Sequence, residues 1–290
     1  MEKAIFIART QDLKHLKAGY TRLYFGNEFC ERLIPSLASV EEAVVYVKKH
    51  KLELSLVTPY ITNDGLAKIE ALFVLLKKKG ISCEIVFNDW GTLNLIGQRY
   101  PNFKPVLGRL LTKQKRGPTV IRLLQRKSKR CIMPDRRGNP SSTRIIIEKK
   151  LPLSLDPYYK GANAASVPII QQFLLSQGIS RIELDNTQQG LLLELARGKI
   201  SASVYFPYVY ISTTFFCPSA GCDAKRKSFL KNKPCSRQCQ RYIFTLRNRS
   251  FHKVIFLKGN THFYKNSKIS YKALAKIGVN RVVYEPRLPV

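Results

Sequence analysis

The chain has 290 residues, of which 50 are Lys or Arg and 19 are Asp or Glu, so its formal net charge is +31. This length suits one large α/β domain or two small ones. No apolar stretch reaches the roughly 18 residues of a membrane span, which excludes a membrane-spanning protein and predicts a soluble one.

The start of the chain bears on the compartment. Met1–Leu13 contains one short apolar run, Ala4–Ala8, which Arg9 ends. This run is too short for the apolar region of a secretory signal peptide. We therefore expect a cytoplasmic protein in a reducing environment.

The positive charge predicts a polyanionic partner. Lys and Arg displace the counterions that condense on a polyanion, so a strongly basic protein attracts such molecules. RNA is the first candidate because it is the most abundant polyanion of the cytoplasm, and an anionic membrane surface is the second. A solvated basic surface without a partner is the alternative.

Short apolar runs rich in β-formers alternate with helical patterns along the chain. The predicted strands are Arg22–Phe25, Leu52–Thr58, Cys83–Phe87, Lys104–Leu107, Arg181–Leu184, Ser203–Ile211, Val254–Leu257 and Arg281–Tyr284. The predicted helices are Val40–His50, Gly65–Lys79, Val167–Ser176 and Gln188–Ala196. This alternation is typical of parallel strands with crossover helices. At this length it favours an α/β fold of the (β/α) barrel, TIM type, complete or incomplete, over a doubly wound sheet.

Residues 113–161 interrupt the alternation. They are rich in Lys and Arg and are punctuated by Gly and Pro, which predicts a basic excursion between two half-barrels. The predicted nucleic-acid contacts in this excursion are Arg126, Lys127, Lys129 and Arg130. A second basic stretch, 223–253, carries aromatic residues that could stack on unpaired bases, although core packing is the more common role of such residues.

Four late cysteines form the pattern C-x4-C-x12-C-x3-C within a Cys-rich segment, residues 213–253. They are Cys217, Cys222, Cys235 and Cys239. Thiolates at this spacing can close a tetrahedral site around zinc or hold an iron-sulfur cluster, and spacing alone does not separate the two. Disulfides rank third, because the chain has seven cysteines, an odd number, and no secretory signal.

Several short motifs resemble peptidase family U-32, the collagenase-like peptidases. They are Tyr24–Cys30 (YFGNEFC), Thr58–Tyr60 (TPY), Asn88–Gly91 (NDWG) and the late cysteines. The resemblance covers most of the chain except the basic excursion and the last residues, and it is greatest to the ubiquinone-biosynthesis branch. It implies that residues 1–290 form one barrel domain with a C-terminal Cys-rich extension.

The resemblance also implies a cofactor, because members of that branch bind a four-iron, four-sulfur cluster with one early Cys and three late ones. Cys30 matches the early ligand. Cys222, Cys235 and Cys239 match the spacing of the late ligands, but the strand that leads into Cys217 resembles the family's entry to its first late ligand. Five cysteines therefore compete for four places, and iron-sulfur is favoured over zinc. Such a site would lie at the C-terminal mouth of the barrel.

Two cysteines match no part of this pattern. They are Cys83, inside a predicted strand, and Cys131, in the basic excursion. We expect both to be inert thiols.

The resemblance implies a role in oxygen-independent hydroxylation. The net charge favours an RNA base as the substrate over a quinone precursor. The alternatives are an accessory or catalytic subunit in quinone-precursor hydroxylation, with a paralogous subunit of the same family as partner, and a non-catalytic RNA-binding protein with a structural metal. A peptidase is the last alternative, since the four histidines form no H-E-x-x-H and no Ser lies in G-x-S-x-G.

The sequence does not identify the catalytic residues, and it offers two candidates for them. Glu28 and Asp89 each lie at the end of a predicted strand, where an acid or base of a barrel enzyme would lie. A structural hydrogen bond explains Glu28 equally well, and capping of the next helix explains Asp89 better.

Overall fold

A computed structural model describes residues 1–16, 18–116, 129–134, 137–145, 163–196, 198–223, 235–248 and 251–290 of the 290. The strands in this part of the chain are β1 (Glu2–Ile7), β2 (Arg22–Gly26), β3 (Glu53–Val57), β4 (Glu84–Phe87), β5 (Lys104–Leu107), β6 (Lys129–Pro134), β7 (Pro140–Ile145), β8 (Arg181–Asp185), β9 (Ser201–Phe206), β10 (Tyr208–Thr213), β11 (Phe244–Asn248), β12 (Phe251–Lys258), β13 (Thr261–Lys265) and β14 (Val279–Tyr284). The α-helices are α1 (Leu37–His50), α2 (Asn63–Lys78), α3 (Trp90–Arg99), α4 (Pro168–Ser176) and α5 (Tyr271–Lys276).

Eight parallel strands close into a barrel in the order β1-β14-β9-β8-β5-β4-β3-β2. The predicted (β/α) barrel is therefore confirmed, and it is closed rather than incomplete. Helices α1, α2 and α3 follow β2, β3 and β4, as the crossover geometry of parallel strands requires. No helix among the described residues is long and apolar enough to cross a membrane.

Alternation along the strands builds two apolar layers. On β1, Ala4 and Phe6 belong to a cluster formed by residues of the barrel strands alone. Ile5 and Ile7 belong instead to the large cluster that includes the buried faces of α1 and α2. Successive side chains of a strand point to opposite faces, so one strand fills the barrel and also anchors the surrounding helices.

The basic excursion lies between β5 and β8, which pair directly in the barrel. Its described residues include the antiparallel hairpin β6–β7. The predicted nucleic-acid contacts Arg126 and Lys127 lie outside the described residues. Lys129 and Arg130 lie on β6, opposite Ile145 and Arg144 of β7.

The sequence prediction was wrong for one helix. Residues 188–196 are irregular rather than helical. Gly190 has a φ of +91°, which a helix does not accommodate. The side chain of Gln171 on α4 donates to the carbonyl of Glu194 and accepts from the amide of Ala196. These two bonds satisfy backbone groups that a helix would have paired internally.

The single predicted strand Ser203–Ile211 is two strands, β9 and β10. Pro207 separates them and supplies no amide hydrogen to a ladder. Strand β9 closes the barrel between β8 and β14, whereas β10 pairs with β13 in a separate sheet of order β10-β13-β12-β11. The chain therefore leaves the barrel at this proline and builds the second sheet, here called the roof sheet, over the C-terminal end of the barrel.

A network of charged residues lies towards the amino ends of the barrel strands. Arg281 donates to Glu84 at 2.6 Å and to Glu2 at 2.7 Å. The hydroxyl of Tyr24 donates to Glu183 at 2.9 Å inside the barrel. Burial raises the pKa of Glu183 to about 7.

The raised pKa of Glu183 makes stability depend on pH. At pH values between the ordinary pKa of a glutamate and about 7, Glu183 of the folded protein keeps a proton that the unfolded chain has released. The free energy of unfolding therefore falls as pH rises through this interval. We expect Glu183→Gln to stabilise the protein by roughly 2–3 kcal/mol at about pH 8 and to change little at about pH 5. Urea denaturation at both pH values measures this, with Glu41→Gln on the surface of α1 as control. An equal effect of Glu183→Gln at the two pH values would contradict it.

Candidate metal centre

The axis of the barrel is filled at its C-terminal end by Arg109, which follows β5 and is fully buried. Its guanidinium donates to Glu28 at 2.9 Å, to Asp185 at 2.8 Å and to Glu285 at 2.8 Å. The three carboxylates belong to the ends of β2, β8 and β14, so one cation joins three strands. The ring of Tyr205 lies 3.9 Å from the guanidinium carbon, within cation–π range.

Glu285 is the acid of this cluster whose pKa is raised. Burial raises this pKa most, Arg109 opposes the rise and the carboxylates of Asp185 and Glu28 add to it, which together place the pKa at about 8. Arg116 supplies a second buried guanidinium, bound to Asp185. Three carboxylates face two guanidinium groups, and one protonated acid makes the cluster neutral.

The roof sheet covers this cluster. The hydroxyl of Tyr210 on β10 donates to the carbonyl of Arg109 at 2.9 Å. Phe29, which follows β2, packs edge-on against Tyr210 and Phe263 with centroid distances of 5.2 and 5.4 Å. The usual position of a barrel active site, above the axis, is therefore occupied by protein.

Four thiols line one cavity beside the covered axis, of about 450 Å³. They belong to Cys30, Cys217, Cys235 and Cys239. Cys30 follows β2, Cys217 follows β10, and Cys239 lies in a 3-10 turn, Gln238–Gln240. This cavity, here called the cysteine cavity, therefore collects side chains from distant parts of the chain.

Two asparagines hold the cysteine loops in place. The Asn27 side chain accepts from the amides of Phe29 and Cys30 at 3.1 and 2.9 Å. The buried Asn260 donates to the carbonyls of Phe29 at 2.7 Å and Thr214 at 2.8 Å. Asn260 thus joins the loop of Cys30 to the loop of Cys217. Sequence reasoning gave neither residue a role: Asn27 lies within the Tyr24–Cys30 motif, and no motif includes Asn260.

Gly259 lets the roof sheet approach the cysteines. It has a φ of +63°, and a Cβ at this position would lie 3.3 Å from the Cβ of Cys239 and 2.8 Å from Val290. A larger residue here would push the turn between β12 and β13 away from Cys239.

Cys222 is not among the residues that line the cysteine cavity. Its amide donates to the carbonyl of Ser219 in a turn that follows Cys217. Of the two competing cysteines, the geometry therefore favours Cys217 as the fourth thiol. Cys83 is buried in the main apolar cluster, and Cys131 lies on β6.

Burial raises the pKa of the Cys30 thiol to about 11, and the thiols of Cys239, Cys217 and Cys235 raise it as well. Burial also raises the pKa of Cys217 and of Cys239. Each of these three groups therefore favours the protonated thiol unless a positive charge binds beside it. A metal provides that charge and displaces the protons.

The donor set fits an iron-sulfur cluster. Four sulfur donors on one cavity are what such a cluster requires. No three Cys, His, Asp or Glu side chains in the described part of the chain stand close enough to hold a single metal ion. Four thiolates also close a tetrahedral zinc site, so the donor set by itself fits either metal.

The two weak catalytic candidates have structural partners. Glu28 is fully buried and bound to Arg109. Asp89 is the N-cap of α3 and accepts from the amide of Gly91 at 2.7 Å. Asn88 beside it joins Thr58 to Leu110 through its side chain. The strand ends therefore connect the βα loops to one another.

Comparison with protein-family models and with curated proteins gives no match for this chain. Among solved structures, the chain is similar to a glycoside hydrolase family 18 N-acetylglucosaminidase from Paenibacillus barengoltzii. The identity is 10%, the alignment covers 98% of this chain and 94% of that chain, and the TM-score is 0.32. The barrel architecture itself follows from the strand pairing described above.

Proposed function

We propose that this protein is an iron-sulfur protein similar to the U-32 family, with a cluster bound by Cys30, Cys217, Cys235 and Cys239. The observation that supports this proposal is the convergence of these four thiols on one cavity. An early cysteine beside three late ones is the ligand pattern that the resemblance implies. A detached zinc ribbon would not include Cys30.

The reaction we propose is oxygen-independent hydroxylation of an RNA base. Hydroxylation replaces a ring C–H with C–OH and removes two electrons from the ring. Without dioxygen, we take the oxygen atom from water: the ring carbon gains the hydroxyl of water, two protons are released, and an external electron acceptor takes the two electrons. When bound, a thiolate-ligated cluster supplies one-electron transfer at a potential set by its ligands and burial.

The choice of RNA as substrate is supported by charge. The net charge of +31 favours a polyanionic substrate over a quinone precursor, whose apolar tail gains nothing from a basic surface. The apolar and aromatic side chains of the cysteine cavity suit a planar ring.

Metal analysis tests the cofactor. Protein purified without oxygen should be brown, should contain iron and acid-labile sulfide in near-equal amounts, and should bleach in air, because accessible thiolate clusters oxidise readily. Visible absorption with iron and sulfide analysis measures this. Stoichiometric zinc without sulfide would contradict the proposal.

A second candidate function is a non-catalytic RNA-binding or accessory subunit with a structural metal. The observation that favours it is the buried Arg109 cluster, which fills the usual position of a barrel active site. The two candidates differ in turnover. Anaerobic incubation of the loaded protein with RNA and an electron acceptor in water, followed by mass analysis of the nucleosides, separates them by a gain of one oxygen atom.

A further inference from the structure

Exposed aromatic side chains stand at the mouth of the cysteine cavity. Phe215 and Phe216, the two residues before Cys217, are 61% and 45% exposed and both line the cavity. The ring of Tyr60 contacts Phe215 with a centroid distance of 5.4 Å and an interplanar angle of 60°. These three residues are here called the aromatic rim. Adjacent phenylalanines exposed beside a cavity are unfavourable in water and are typical of a binding surface.

A second cavity, of about 580 Å³, adjoins the first. The two share Glu31, Arg32, Leu33 and Val290. Glu31 accepts from the amide and the hydroxyl of Thr62 at 2.8 and 2.9 Å. This second cavity, here called the basic cavity, therefore adjoins the cysteine cavity, whose lining includes the aromatic rim.

Three cations of the basic cavity are available for an anion. Arg32, Lys68 and Arg237 line it, and none of them pairs with a carboxylate in the part of the chain that the structure describes. Arg237 lies between Cys235 and Cys239 and has a φ of +56°, a backbone conformation that non-glycine residues seldom adopt. Because Arg237 lies two residues from each of these cysteines, its backbone position depends on theirs.

We propose that the aromatic rim stacks one unpaired RNA base at the cysteine cavity, while Arg32, Lys68 and Arg237 bind the phosphates that flank it. This inference rests on the proposed function and names the subsite for its substrate. Aromatic rings that stack single-stranded bases beside cations that contact the backbone are the usual means of binding unpaired RNA. An apolar tail would gain nothing from the three cations.

Two ligands test the base and the phosphate parts separately. One is a short single-stranded RNA of mixed sequence, and the other is an abasic ribose-phosphate strand of the same length. Binding to the anaerobically purified protein is measured by fluorescence anisotropy. Phe215→Ala should weaken binding of the RNA by roughly 5- to 150-fold, since stacking is worth about 1–3 kcal/mol per base. It should leave binding of the abasic strand unchanged, because that strand offers nothing to stack.

Substitutions in the basic cavity should affect the RNA and the abasic strand equally, unlike Phe215→Ala. Arg32→Ala should weaken both strands alike and should reduce the salt slope of binding by about one phosphate contact. Phe215→Trp preserves an aromatic face and should keep the affinity for RNA. Phe173→Ala is the matched control, because Phe173 on α4 is 47% exposed and lines neither cavity. It should change neither affinity, and iron content reports whether each variant retains the cysteine site.

The outcomes separate this inference from the proposed function. If RNA binds the unaltered protein and Phe215→Ala binds it equally well, the aromatic rim is not a base site, although the proposed function stands. An equal loss on both strands would mean that Phe215 acts through the shape of the loop, which also overturns the inference. If the unaltered protein binds no RNA at physiological salt, the RNA substrate and its subsite are both wrong.

Discussion

Replacement of any one of Cys30, Cys217, Cys235 and Cys239 by Ala should abolish iron binding. In the proposed cluster, removing one thiolate would leave an open coordination position that Ala does not fill, and the three remaining ligands would hold the cluster too weakly to survive purification. Iron and sulfide analysis with visible absorption of each anaerobically purified variant measures the loss. This is the largest effect that we expect from single substitutions at the site.

The matched controls are Cys222 and Cys83, which do not line the cavity. Cys222→Ala and Cys83→Ala should retain the iron, and Cys131→Ala, in the basic excursion, should do so as well. Loss of iron in Cys222→Ala with retention in Cys217→Ala would reverse the assignment between these two residues. If Cys30→Ala retains all of its iron, the late cysteines alone bind the metal, as in a small zinc-binding loop. That result would remove the main support for the resemblance to the U-32 family.

Arg109→Met should destabilise the protein by at least about 3–5 kcal/mol. The substitution keeps an apolar side chain of comparable length but leaves Glu28 and Asp185 buried with one guanidinium fewer to compensate them, and removing one partner of a buried ion pair costs about this much. Urea denaturation of the two proteins at one pH measures the difference. Most small domains are stable by only about 5–15 kcal/mol, so the variant is expected to express poorly.

The control for Arg109 is a surface ion pair. Arg99 on α3 is 61% exposed at its side chain and bound to Glu70. Because solvent screens such a pair, Arg99→Met should cost less than about 1 kcal/mol. Equal costs for the two substitutions would mean that the Arg109 cluster contributes nothing beyond an ordinary surface charge.

The Arg109 cluster explains why the candidate site lies off the barrel axis. Most barrel enzymes bind substrate above the axis, among the loops that follow the strands. Here Arg109 and the roof sheet fill that space, and Phe29 lies between the cluster and Cys30. The cysteine cavity is therefore displaced towards the loops after β2 and β3, where Cys30 and Tyr60 line it.

The barrel could be predicted from the sequence because its cause is local. Strand and helix periodicity are set by neighbouring residues, and the regions Leu52–Thr58 and Gly65–Lys79 were predicted close to their observed bounds as β3 and α2. The errors have both local and tertiary causes. Pro207 divides one predicted strand into two, which is a local effect. The predicted helix at 188–196 does not form because Gly190 has a positive φ and because Gln171 binds two backbone groups of this segment that lie 23 and 25 positions further along the chain.

The sequence by itself determined the composition of the site: a late group of cysteines, an early Cys30 and a strongly basic chain. Only the tertiary structure decided that Cys217, and not Cys222, shares a cavity with Cys30. It also revealed Asn260, whose bond to Phe29 joins residues 231 positions apart. The sequence shows which thiol donors exist. Which of these thiols lie close together depends on where the barrel closes and where the roof sheet packs over it. Those contacts form between residues far apart in sequence, so no local pattern encodes them.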